Sequence, residues 1–217
     1  MSHKIKILDH ILDIDRIDTS SFIVDAGCNI GQFIEEVRGS LKCDCKIYAI
    51  EPSNRNIGLI KESVLANVDL VQKALVGKSG PPRVLTEFVG PKKPDGTNRY
   101  HQWSNIVGYH KDKMHSRFDV QLIEHEVPTI TLGDILEISQ TGIIDYLKMD
   151  IEGAEYEVVE EMTLDVAKNI KQISMELHPP PHDNNKNNAL RKKLQQLGFT
   201  THDFPGNELY AFRPEEE

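Results

Sequence analysis

Apolar and polar residues alternate along this chain with two spacings, one typical of strands and one typical of amphipathic helices. Short apolar runs predict core strands at 22–24, 46–50, 68–76, 143–150 and 170–177. Between them, apolar residues three or four positions apart predict helices at 32–38, from 54 to 65, at 132–138, at 153–162 and at 184–197. Strands and helices in regular succession indicate an α/β domain built on an open sheet.

The two ends of the chain extend this pattern. Residues 4–17 carry apolar side chains at helical intervals, which predicts a helix beside the first strand. Two short strands, around 199–202 and 209–212, predict a hairpin across Pro205 and Gly206. With 217 residues, the chain has the length of one domain with a sizeable core, so a single domain over 1–217 is predicted.

The alternation lapses between the third and fourth strands. Residues 83–89 suggest one arm of a hairpin, and the polar segment that follows has no sustained period. This irregular insertion, at about 90–126, contains Trp103 and several histidines, which favours a lid over a substrate. A surface excursion with incidental histidines explains the same residues equally well.

Composition and net charge argue against several classes of function and of cellular location. The formal net charge of -9 and the absence of a basic stripe argue against nucleic-acid or membrane partners. The three cysteines, Cys28, Cys43 and Cys45, do not form a disulfide framework, since they are odd in number and two are nearly adjacent. No apolar run has the length of a membrane helix, and the first residues lack the apolar core of a signal peptide. A cytoplasmic protein is therefore expected.

The first predicted strand leads into a glycine turn with the pattern Asp25-x-Gly27-x-Asn29-x-Gly31. A dinucleotide fingerprint has a third glycine and no acid that would repel a diphosphate. Asp25 could instead accept hydrogen bonds from a ligand's ammonium group, and Glu51, after the second strand, could accept both hydroxyls of a ribose. The pattern favours S-adenosylmethionine over NAD, although a strand-end acid is also often only a helix cap.

A second group of ionisable residues follows the fourth strand. Lys148, Asp150 and Glu152 alternate there, so their side chains are expected on one side of the chain, near the reactive end of the cofactor. An ion pair of Lys148 with Asp150 or Glu155 would explain the same residues structurally. Glu176 and His178 close the next strand and are expected at the same edge of the sheet, although a histidine before prolines is also common in surface turns.

At these residues the chain resembles FkbM-type methyltransferases. The resemblance runs from about residue 20 to residue 212, and the Lys-x-Asp-x-Glu-Gly-x-Glu pattern starting at Lys148 is its most specific part. The matching motifs are 24–31, 50–52, 131–132, 147–155 and 176–178. The resemblance implies a class I methyltransferase fold, a three-layer Rossmann-like sandwich with a mostly parallel seven-stranded sheet and an antiparallel final strand. It also implies methyl transfer from S-adenosylmethionine, usually to a hydroxyl of a sugar, polyketide or other small metabolite.

Site residues follow from the resemblance position by position. The glycine turn would hold the methionine part of the cofactor, Glu51 the ribose, and Lys73 with Ala74 the adenine. The full predicted cofactor set is Asp25, Gly27, Cys28, Asn29, Gly31, Glu51, Pro52, Ser53, Lys73 and Ala74. Within the insertion, only Ser104-Asn105 matches the small polar lid motif of the family.

The predicted catalytic set is Asp150, His178, Glu152, Glu176 and Lys148. Asp150 or His178 is the predicted general base, and Glu152 and Glu176 are expected to orient the acceptor hydroxyls or the base. A divalent metal held by Asp150, Glu152 and neighbouring residues is compatible with the sequence, but the spacing is not a specific metal signature. The alternatives are a cofactor-binding module without catalysis and an NAD-linked oxidoreductase, which Asn29 disfavours. Nucleic-acid methylation is disfavoured because the chain lacks an Asn/Asp-Pro-Pro-aromatic motif.

Overall fold

A computed structural model describes residues 3–41, 44–90, 104–107, 121–178 and 184–214. Its strands are β1 (Lys4–Ile7), β2 (His10–Asp13), β3 (Phe22–Ala26), β4 (Lys46–Ile50), β5 (Val68–Val71), β6 (Ala74–Leu75), β7 (Arg83–Val89), β8 (Gln121–Val127), β9 (Thr129–Ile130), β10 (Tyr146–Met149), β11 (Gln172–Glu176), β12 (Thr200–Phe204) and β13 (Glu208–Phe212). Its α-helices are α1 (Gln32–Ser40), α2 (Asn54–Ile57), α3 (Leu132–Ile138), α4 (Glu155–Glu161), α5 (Leu164–Ala167) and α6 (Asn184–Gln196).

Seven strands form the central sheet, in the order β12, β13, β11, β10, β3, β4, β5. The pairs from β11 to β5 are all parallel, and β13 is antiparallel to both of its neighbours. This arrangement confirms the predicted Rossmann-like sheet with a reversed final strand. All five residues of β3 are buried, since a central parallel strand is covered on both faces, and this explains its continuous apolar run.

The core lies on both sides of this sheet. On one side, α1 packs Phe33, Ile34 and Val37 against the sheet together with residues of the N-terminal hairpin. On the other side, residues of α3, α4, α5 and α6 cover β10 and β11. Among the described residues, no helix combines the length and the apolarity needed to cross a bilayer.

The predicted N-terminal helix at 4–17 is wrong. Residues 4–13 form the antiparallel hairpin β1–β2, followed by a 3-10 turn at Ile14–Arg16. The hairpin depends on distant partners, because Ile11 N–H donates to Ser174 Oγ at 2.9 Å and Asp13 N–H donates to Gln172 Oε1 at 3.0 Å. Such tertiary bonds outweigh a local helical period.

Two further elements are shorter than predicted. The third strand at 68–76 is divided, because β5 belongs to the central sheet while β6 pairs with β9 in a separate sheet. The helix after Ser53 is only the four residues of α2, and the Ser53 side chain caps it by accepting the Asn56 N–H. A glycine, Gly58, follows α2 directly, and the apolar residues beyond it belong to a 3-10 turn at Glu62–Val64.

The insertion is partly regular. β8 pairs with β7 in an antiparallel hairpin over seven residues each, so the irregular stretch does not extend to residue 126. Residues 104–107 bridge to β7 through Asn105 and Thr86. Trp103, His101, His110 and His115, which motivated the lid interpretation, lie outside the described residues, as does Cys43.

Candidate active site

A cavity of about 430 Å³ opens at the carboxyl ends of β3, β4, β10 and β11. This is where ligands bind in open α/β sheets. The cavity is lined by nine of the predicted site residues: Gly27, Asn29, Glu51, Pro52, Ala74, Asp150, Glu152, Glu176 and His178. Its other walls come from Asp9, Ile50, Asn56, Leu75, Ser104, Asn105, Ile106, Ile151 and Ala154.

The glycine turn is held tightly against β4 and β10. The N–H groups of Gly27 and Cys28 both donate to the carbonyl of Ile50, at 2.9 and 3.1 Å. Gly27 has a φ of +75°, and a Cβ on it would lie 1.8 Å from the carbonyl oxygen of Asp150, so only glycine fits. The turn thereby places Asn29 at the cavity, with a buried Oδ1 that has no hydrogen-bond partner among the residues that the structure describes.

Glu51 is a nearly fully buried carboxylate in the cavity wall, 4% exposed. Its two oxygens accept the N–H groups of Asn29 and Ser53, each at 2.9 Å, and Asn56 Nδ2 donates to it at 3.3 Å. Burial is the largest influence and raises the pKa of Glu51 to about 7, against these hydrogen bonds. Asn56 was not predicted as a site residue.

Asp25 occupies a different place from the one predicted. Its carboxylate is fully buried beneath the turn, and Lys148 Nζ lies 2.9 Å from its Oδ1. The same ammonium donates to the carbonyl of Gly27 at 2.9 Å. The ion pair of Lys148 is therefore with Asp25, and not with Asp150 or Glu155. Neither Asp25 nor Lys148 lines the cavity. Burial opposes the charge on Lys148, but the negative charges of Asp25 and Asp150 raise its pKa overall.

Four other predicted cofactor residues also lie outside the cavity walls. Cys28 is buried under the turn, and burial raises the pKa of its thiol well above the usual value. Gly31 begins α1 next to Ile60, Ser53 caps α2 and donates to Glu87, and Lys73 lies one residue before the cavity residue Ala74. These residues support the walls and do not form them.

At the other end of the cavity, acidic side chains surround His178. Its Nε2 lies 3.7 Å from Glu152 Oε2, 3.7 Å from Glu176 Oε1 and 4.0 Å from Asp150 Oδ1. Its Nδ1 lies 3.2 Å from Glu155 Oε1. We refer to these five residues as the acid–histidine cluster.

The protonation of the cluster is set by burial and by this crowding of charges. Burial alone would lower the pKa of His178, but the hydrogen bond and charge of Glu155, with Glu152 and Asp150, raise it to about 10. Burial chiefly raises the pKa of Glu152 to about 8 and also raises that of Glu176. His178 therefore carries a positive charge near neutral pH.

Three members of the cluster lie close enough together to hold a metal ion. One potential ligand atom from each of Asp150, Glu176 and His178 lies within 4.8 Å of the others. Binding of a cation at these three residues would require His178 Nε2 to lose its proton.

Comparison with known proteins establishes the family. Residues 25–201 match the family model for the methyltransferase FkbM domain. The chain belongs to the FkbM methyltransferase family.

Relatives of this FkbM-family protein include two fungal methyltransferases. It is 29% identical over 161 residues to Methyltransferase 1 of Beauveria bassiana (strain ARSEF 2860), covering 72% of this chain and 64% of the relative. It is 27% identical over 191 residues to Methyltransferase sdnD of Sordaria araneosa, covering 79% of this chain and 72% of the relative. The chain thus spans somewhat less than two thirds of the first relative.

A solved structure supports the fold. The methyltransferase FkbM of Methylobacillus flagellatus KT superimposes with a TM-score of 0.50 at 14% identity, over 90% of this chain and 44% of that one. The matched family region begins at Asp25, so the hairpin that brings Asp9 to the cavity lies outside it. The matched region contains the glycine turn and the acid–histidine cluster, and Asp9 of the hairpin lines the same cavity from outside that region.

Proposed function

We propose that this FkbM-family protein is an S-adenosylmethionine-dependent O-methyltransferase that acts on a hydroxyl of a sugar or other small metabolite. The observation that carries the proposal is the single cavity that joins the buried carboxylate of Glu51 to the acid–histidine cluster. One end has the chemistry to hold a ribose, and the other has acids that can take up a proton.

The walls of the cavity fit the proposed cofactor. The remaining lone pairs of the Glu51 carboxylate can accept ribose hydroxyls, and the unpartnered Asn29 Oδ1 can accept an ammonium N–H. Apolar groups of Ile50, Ala74 and Leu75 offer a surface for adenine. The Asp25 carboxylate contributes from beneath the turn, where its pairing with Lys148 holds the Gly27 carbonyl in place.

When bound, S-adenosylmethionine would supply a methyl group on a sulfonium sulfur, with a neutral thioether as the leaving group. The protein then has to orient the acceptor oxygen, exclude water and accept the proton that the acceptor hydroxyl loses. Asp150 is the better of the two predicted bases, since His178 already carries a proton near neutral pH. Glu152 and Glu176 can hold further hydroxyls of the acceptor, and His178 Nε2 lies 3.7 Å from each of these two carboxyl groups.

The test is a transfer screen with methyl-labelled S-adenosylmethionine over pools of sugars and small alcohols. We expect label in a hydroxyl-bearing product, and a loss of about 10²-fold or more in turnover for Asp150→Asn. Cofactor binding without transfer to any pool would favour the binding-module alternative. If Asp150→Asn and His178→Ala both left turnover intact, the assignment of the base would be wrong.

A further inference from the structure

Glu155 is completely buried where α4 begins, at the back of the acid–histidine cluster. Its Oε2 accepts the N–H of Gly153 at 2.9 Å, and its Oε1 accepts the N–H of Ile151 at 2.9 Å. The same Oε1 lies 3.2 Å from His178 Nδ1. One carboxylate therefore connects the loop after β10 to His178, in the segment after β11.

The loop that Glu155 holds has an unusual backbone. Glu152 has a φ of +54° and Gly153 a φ of +102°, both in the left-handed region. This conformation brings the side chain of Glu152 to the Nε2 edge of His178. Without the two N–H groups bound by Glu155, the loop would lack the bonds that offset this strain.

His178 is consequently anchored on one edge and open on the other. Nδ1 contacts the fully buried Glu155, while Nε2 faces Asp150, Glu152 and Glu176 at 3.7–4.0 Å, beyond hydrogen-bond distance. A ring held at one nitrogen presents the other in a fixed direction, as in carboxylate-oriented histidines of other active sites.

We propose that Glu155 is a positioning residue that fixes the ring of His178 through Nδ1, so that Nε2 stays directed at the acids of the cavity. The catalytic meaning of this role rests on the proposed function, since Asp150 is the base there. The hydrogen bond itself does not depend on that function and can be measured without substrate.

The experiment is nitrogen-15 NMR of the full chain at neutral pH, with the ring signals of His178 identified by their loss in His178→Gln. We expect a His178 Nδ1–H proton that exchanges with water about tenfold or more slowly than that of the exposed His3. In Glu155→Gln this protection falls, because the single amide oxygen is an uncharged and weaker acceptor and cannot accept from Gly153, Ile151 and His178 together.

Glu152→Gln is the matched control. It also removes one carboxylate near the ring, but on the Nε2 side, so the protected Nδ1–H signal is expected to remain. Equal loss of protection in both variants would mean that general electrostatics, and not the Glu155 bond, holds the ring, and would overturn the proposal. Retention in Glu155→Gln would overturn it as well.

If Glu155→Gln does not fold, the wild-type signal alone still tests the proposal. Exchange at His178 Nδ1 as fast as at His3 would contradict the proposal. Failure of the transfer screen would leave this measurement unaffected, so the two proposals can fail separately. In active protein, Glu155→Gln is expected to lower kcat by about tenfold or more with unchanged affinity for S-adenosylmethionine.

Discussion

Glu51→Gln separates the electrostatic cost of Glu51 from its binding role. In the folded protein the pKa of Glu51 rises from 4.5 to about 7, because the carboxylate is buried. A folded-state pKa above the unfolded one means that the folded chain holds the proton more tightly. The associated stability is present below pH 4.5 and is lost as pH rises to about 7. At about 1.4 kcal/mol per pH unit, this shift lowers the free energy of unfolding by about 3 kcal/mol.

In Glu51→Gln this pH dependence of stability disappears, while a loss of stability that does not depend on pH remains. The amide oxygen can accept from only one of the two N–H groups, those of Asn29 and Ser53, that Glu51 now binds. One donor is then left without an acceptor, at a cost of about 1–3 kcal/mol. Relative to wild type, the variant is therefore least stable at the acid end of the range and gains about 2 to 3 kcal/mol between pH 5 and pH 8. Urea unfolding of both proteins between pH 5 and pH 8 measures this difference.

Cofactor affinity supplies the second readout. If the ionised carboxylate binds the ribose, affinity for S-adenosylmethionine at pH 6 is about tenfold below its plateau, since about one molecule in ten is ionised. The ammonium group of the ligand also titrates near this range, so Glu51→Gln serves as the control that contains only the ligand's contribution. Identical pH profiles for unfolding and for binding in the two proteins would refute this account of Glu51.

Two further predictions concern residues beneath and beside the cavity. Lys148→Met leaves Asp25 buried without its ammonium partner and should destabilise the protein by about 3–5 kcal/mol, measured by thermal unfolding. Adding Asp25→Asn to this variant should restore part of the lost stability, and no restoration would contradict the ion pair. Asp9→Asn, at the hairpin tip, should raise KM for the acceptor found in the transfer screen while leaving S-adenosylmethionine affinity unchanged, and the opposite result would place Asp9 on the cofactor side.

Local signals were sufficient for much of the fold. α1, β4 and α3 lie where apolar spacing predicts them, and Thr131 forms the expected cap of α3, together with Asp134 in a capping box. These elements depend on residues within a few positions of one another. The N-terminal hairpin does not, because its anchors Ser174 and Gln172 lie on β11, far along the chain.

The candidate site likewise has some features that follow from local sequence and others that depend on distant residues. That Glu51 and Asp150 share a cavity follows from strand order, since both come directly after parallel strands of one sheet. The role of Asp25 could not be predicted in this way. Lys148 is its direct register partner on β10, and a one-residue change of register would have turned the lysine to the other face. Asp25 and Lys148 are both visible in the sequence, but only the alignment of β3 with β10 brings their side chains together.

Calorimetric titration of the full chain with S-adenosylmethionine and, separately, with NAD tests whether this cavity binds S-adenosylmethionine. We expect saturable binding of S-adenosylmethionine, weakened in Glu51→Gln, and no binding of NAD. Binding of NAD with no binding of S-adenosylmethionine would contradict it.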